Sequence, residues 1–139
     1  MGVRRRGREL ALQMLYQHEL AGTEMEKIFS EFEELRLAPA STRDFAVNLV
    51  RGVVARRDEL DARLAEQTEH WRLERMAAVD RNILRVALYE LLFAHETPSL
   101  VVIDEAVEIA KRFGSERSSQ FVNGILDGVL QRERAAGER

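Results

Sequence analysis

Arg4, Arg5, Arg6 and Arg8 stand at the head of a chain whose formal net charge is −3. Guanidinium groups are forks that match phosphate oxygens, so a cluster of them is chemistry for holding an anion. Residues 1–9 sum to +3 and the remaining residues to −6, so local charge points to a polyanion where whole-chain charge does not. The placement also opposes local physics. A helix N-terminus already carries about half a positive charge, and each cation in the first turn costs roughly 0.3–1 kcal/mol at low salt. A solvated terminus is the plain alternative, but a run that breaks a local rule without compensation points to an absent anion.

Other chemistry is scarce. His18, His70 and His95 are far apart in sequence and lack the close neighbours of metal or acid–base sites. With no cysteine there is no disulfide, no thiol catalysis and no thiolate zinc site, which fits a reducing compartment, the cytoplasm by default. No glycine-rich phosphate loop of the Walker type, nucleophile elbow or paired-histidine zinc motif occurs, so no catalytic residue, metal or cofactor is expected. Asp104 and Glu105 read as first-turn acids that suit the helix dipole. Gly124-x-x-x-Gly128 reads as ordinary helix packing. Phe121 has two readings: a core ring sharing a face with Ile125, favoured by spacing alone, or a ring near a helix start stacked on an unpaired base.

These residues must be placed by helices. The chain has 139 residues, 45% of them apolar and 32% charged, with two prolines, the composition and length of one globular domain. No run is long and apolar enough to span a bilayer, and the arginines do not open a signal peptide. Apolar spacing predicts a helix over Arg8–Ala21, interrupted at Gly22-Thr23, and a second through Met25, Ile28, Phe29, Phe32 and Leu35 with an acidic outer face. Ser41-x-x-Asp44 resembles a capping box opening the next helix. Arg56–Gln67 continues helically after a bend, and His70-Trp71 lies in a connection with a buried aromatic anchor. Asp80 is placed to cap a central helix through Leu92, and Thr97-Pro98-Ser99 stops it. Val101–Phe113 follows, ended by Gly114 in the position left-handed caps prefer. Ser118 starts the last helix, with Phe121, Val122, Ile125, Leu126, Val129 and Leu130 inward and a frayed tail from Arg132. No stretch alternates with period two, so the class is all-α, with about seven helices.

RRRGRELALQMLYQHE, FAVNLVRGVVARRDELDARL, VDRNILRVALYELL, IDEAVEIAKRFG and SSQFVNGILD, in this order and spacing, resemble the NusB family of transcription antitermination factors from Arg4 to about Leu130. VDRNILR, EAVEIAK and FVNGILD carry the specificity. The resemblance implies two packed helical bundles, about 1–72 and about 73–133, and a non-enzymatic protein that binds boxA RNA with NusE, a small-subunit ribosomal protein. It further implies work within the RNA polymerase antitermination complex in support of ribosomal RNA synthesis, no membrane, and a homodimer that would hide the RNA surface until a partner arrives. By the same resemblance the RNA-binding residues are Arg4, Arg5, Arg6, Arg8, Asp80, Gln120, Phe121 and Asn123, so stacking displaces the core reading of Phe121. Gln120 stands where some relatives carry lysine, Arg117 where some carry aspartate, and IDEA replaces the commoner INEA. Two rivals remain: a NusB-like domain of a ribosomal RNA methyltransferase system, and a helical adapter that binds no RNA. Because Arg5, Arg6 and Arg8 precede the apolar stripe, their removal is expected to leave folding unchanged or slightly improved.

Overall fold

The computed structural model describes residues 2–68 and 73–137, and the expected aromatic anchor at His70-Trp71 lies outside them. The described residues form helices and connecting turns, with no strand among them. The chain divides into two compact units, Met1–Ala55 and Arg56–Arg139. The first holds α1 (Val3–Ala21), α2 (Met25–Glu31), α3 (Glu33–Leu37) and α4 (Ala40–Ala55). The second holds α5 (Arg57–Gln67), a 3-10 turn (Leu73–Arg75), α6 (Ala78–Phe93), α7 (Ser99–Phe113) and α8 (Ser118–Gly137).

In the first unit α1 packs on α4. Leu10, Ala11, Met14 and Leu15 are buried on one helix, and Ala46, Leu49, Val50 and Val53 on the other. Gly7 sets their separation at the arginine end, since a Cβ there would lie 2.6 Å from Cδ2 of Phe45. α1 begins at Val3, not near Arg8. Arginine is a good helix former, but a run of arginines has no apolar period to reveal it. Gly22 ends the helix at φ 70°, the left-handed conformation, and donates its N–H to the His18 carbonyl at 3.0 Å. The expected second helix is two, parted at Phe32, whose ψ of 104° leaves the helical region. Ser41 sits inside the first turn of α4 and does not precede it, because the Pro39 carbonyl already accepts the Arg43 N–H at 2.9 Å.

In the second unit α6 packs against α5, α7 and α8. Ile83, Leu84, Val86, Ala87, Leu88 and Leu91 are buried on it, facing the apolar stripes of α7 (Val102, Ile103, Ala106) and α8 (Val122, Ile125, Leu126). Arg85 grips Asp61 of α5 with two bonds of 2.8 and 2.9 Å and donates to Asn82 at 3.2 Å. Such a bidentate pair fixes direction as well as distance. The expected fraying from Arg132 does not occur: α8 runs to Gly137, with Arg63 of α5 paired to Glu133 and Arg132 lying 3.9 Å from Glu66. Gly114 closes α7 in an extended conformation (φ −93°), not a left-handed one. Its missing side chain serves packing, since a Cβ there would collide with Ser118.

Candidate nucleic-acid interface

The arginine cluster occupies the first turns of α1, where no acid offsets the dipole and no side chain caps Gly2. Arg4 is exposed, Arg5 and Arg6 are half-buried, and Arg8 is only 4% exposed. Arg4 and Arg8 lie one turn apart and share one ring: their guanidinium carbons are 5.6 and 5.4 Å from the centroid of Phe45. The negative face of the ring supplies the compensation that the sequence lacked locally. Arg6 lies 3.5 Å from the buried Glu9 carboxylate and 3.4 Å from Glu34. These contacts count against the expectation that Arg5, Arg6 and Arg8 can be removed without loss of folding. Arg8 contributes a buried stem and Arg6 neutralises a buried acid, while Arg4 retains an exposed charge.

A second cluster forms in the other unit, where the start of α8 faces the start of α6. Arg75, Met76, Ala77, Asp80, Arg117 and Phe121, with Ser115 and Ser118, line a cavity of about 270 Å³. Phe121 is half-buried, unlike Val122, Ile125 and Leu126 beside it, so its ring belongs to the cavity wall and not to the apolar core. Asp80 does not cap α6. Ala77 holds the cap position, and Asp80 sits in the first turn with Oδ1 buried and without a hydrogen-bond partner. An unmet buried acceptor costs about 1–3 kcal/mol, a cost that calls for an explanation beyond packing.

The cavity is held from below. Arg81 donates through Nη1 to the carbonyls of Leu73 (2.8 Å) and Met76 (3.0 Å). Ser118, 1% exposed, accepts the Ser115 N–H at 2.8 Å and shares a 3.1 Å hydroxyl contact with the same residue. Asp80 and Phe121 are thus brought together. Gln120 and Asn123 are exposed on the same helix turn without lining the cavity, and the four α1 arginines belong to the other unit. Sequence reasoning did not select Arg75 and Arg117. Both are exposed, and neither guanidinium finds an acceptor among the described residues. Arg117 carried a signal, since it stands where some relatives have an acid; Arg75 carried none. His18 is committed to structure, its Nδ1 donating to the Thr23 carbonyl at 2.6 Å, and His95 is exposed.

Comparison with known proteins agrees with the sequence resemblance. The sequence profile of the NusB family matches residues 5–131. The chain is 48% identical over 130 residues to "Transcription antitermination protein NusB" of Geobacter sulfurreducens, covering 93% of this chain and 94% of that one. It is 46% identical over 133 residues to the protein of the same name from Myxococcus xanthus, covering 93% and 95%. Among solved structures, NusB of T. maritima superposes with a TM-score of 0.83 at 40% identity, over 92% of this chain and 90% of that one. A structure of antitermination factors NusB and NusE in complex with double-stranded RNA matches with a TM-score of 0.85 at 27% identity, over 95% and 98%.

Proposed function

The chain belongs to the NusB family, and from that premise we propose that it is an RNA-binding transcription antitermination factor that binds boxA RNA together with NusE. Its relatives are regulatory proteins, and the chemistry here is recognition, not catalysis. The observation that carries the reading is the head of α1, where four arginines stand on a helix N-terminus without an acid in the turn. An RNA backbone adds phosphate contacts to a turn whose cations already lean on Phe45, Glu9 and Glu34, with phosphates positioning the strand and bases conferring choice. Asp80, Gln120 and Asn123 read base edges, and Phe121 stacks on a base.

By the same reading the protein acts within the RNA polymerase antitermination complex on nascent ribosomal RNA, in the cytoplasm. Among the described residues no helix is long and apolar enough to cross a membrane. Self-association as a homodimer would hide the RNA surface until a partner arrives, and sedimentation with and without RNA checks it. The rival reading as part of a methyltransferase system is disfavoured by the matched relatives, which are named as antitermination proteins and align over nearly their full length.

A mobility-shift titration with boxA RNA, with and without NusE, tests the proposal. NusE is expected to raise RNA affinity, and RNA to raise NusE affinity by the same factor, because coupling between binding sites is reciprocal. No shift of boxA RNA in either condition would overturn the reading.

A further inference from the structure

A separate cavity, of about 290 Å³, lies within the second unit, where the end of α5 meets the last turns of α8. Gln67, the last residue of α5, lines it, and its side-chain amide rests on the bare face of Gly128, where a Cβ would collide with it. Its Oε1 is buried and has no donor among the described residues, a costly state for an acceptor. The surrounding charges are of both signs. Arg63 pairs with Glu133, and Arg132 stands 3.9 Å from Glu66, at the outer limit of an ion pair. The Arg132 and Glu66 side chains are 51% and 61% exposed, so parting them costs little. Val129 and Ala136 add apolar surface.

Two guanidinium groups and two carboxylates cancel, so the cavity favours neither a bare anion nor a bare cation. A small ligand carrying both signs matches it. We infer that this cavity binds a free α-amino acid with a short apolar side chain. The ligand carboxylate takes the Arg132 guanidinium, and the ligand ammonium donates to Glu66 and to Oε1 of Gln67, consecutive residues at the end of α5. The last torsion of a glutamine side chain is broad, so the amide turns to present its enclosed oxygen. The ligand side chain lies against Val129 and Ala136, while Arg63 and Glu133 stay paired beside it. One long ion pair is thereby exchanged for charge-assisted hydrogen bonds at both its ends, and the unmet acceptor gains a donor. A volume just below the usual ligand range of roughly 300–1,000 Å³ suits a molecule of this size and not a nucleotide. The inference stands apart from the RNA-binding reading above.

The test is calorimetric titration of L-valine into the full chain, beside isovalerate, which lacks the ammonium of valine, and isobutylamine, which lacks its carboxylate. Valine should bind with a Kd of about 1 mM, ordinary for so small a ligand, and each control about tenfold more weakly or worse. Arg132→Gln and Gln67→Leu should each weaken valine about tenfold, the loss expected for a hydrogen bond to a charged group. Their thermal melts should stay at or above the native value, since one change is on the surface and the other removes an unmet acceptor. In nuclear magnetic resonance spectra, valine should shift the Gln67 side-chain amide signals saturably with the same Kd. Heat that does not saturate at about ten times that concentration, as when a bound water alone meets Gln67, overturns the inference. So do equal affinities for valine and the controls, or shifts confined to helices other than α5 and α8. Any of these results leaves the RNA-binding reading standing, and loss of boxA binding leaves this inference standing.

Discussion

At the head of α1 two arginines lie over one phenyl ring, and at the head of α8 two arginines line a cavity with another, and the two regions treat them in opposite ways. At α1 the cations are built into the fold: Arg8 is buried against Phe45, and Arg6 leans on a buried glutamate. At α8 the cations are unspent: Arg75 and Arg117 meet no acceptor among the described residues, and the ring of Phe121 lines a cavity. The difference teaches where binding and stability are entangled. A residue that serves both cannot be removed for one alone, whereas a group left unsatisfied by the fold is open to assignment by a binding measurement.

The largest effect is expected where a glycine lets α1 and α4 meet closely. Gly7→Val places a side chain against Phe45 and the Thr42 carbonyl, and such overpacking should cost about 3 kcal/mol, read as a lowered denaturation midpoint with RNA binding lost alongside. An unaltered midpoint would show that the α1–α4 approach does not depend on this glycine. Phe121→Ala should separate the two properties instead, weakening single-stranded RNA binding by about 1–3 kcal/mol while the melt stays near native. A stability loss of about 3–5 kcal/mol would return the ring to the core and erase the contrast between the two regions.

Smaller effects sharpen the same contrast within α1. Arg8→Ala removes a buried stem and a cation–π contact, so about 1–2 kcal/mol of stability should go with it, measured by chemical denaturation. If that variant melts like the native chain, Arg8 is surface-like and the entanglement is gone. Arg4→Ala is the limiting case. Loss of an exposed cation–π contact, about 0.5–1 kcal/mol, is offset by relief of about 0.3–1 kcal/mol of dipole repulsion. Its melt should not move, while the salt slope for RNA falls by about 0.7.

How far the sequence reached depended on whether the cause was local. The start of α8 at Ser118 and the all-helical class follow from spacing and side-chain chemistry, and both stand in the structure. The start of α1 was displaced because Arg4, Arg5 and Arg6 are helical without an apolar period. Gly22, read only as an interruption, takes the left-handed conformation, while Gly114, expected to take it, stays extended and makes room for Ser118. Nothing near Asp80 in sequence reveals that its Oδ1 is enclosed, since Phe121 and Arg117, which line the same cavity, come from α8 and the turn just before it, two helices later. The burial of Arg8 was hidden for the same reason, its ring partner being Phe45 of α4. Charge and periodicity report what a residue is; its unmet valence depends on what folding brings beside it.

Arg81 clamps the short turn that precedes α6. One guanidinium nitrogen holds the carbonyls at both ends of the short turn from Leu73 to Met76, and that turn supplies one wall of the cavity. The segment is too short to be held by a helical ladder of its own, so the fraction of molecules with the wall in place rests heavily on this side chain. Apparent affinity scales with that fraction: a wall correctly set in one molecule in ten would weaken binding about tenfold with every contact to RNA intact. Arg81 is thus a residue whose replacement would change how often the receptor exists, and leave unchanged how well it binds once formed.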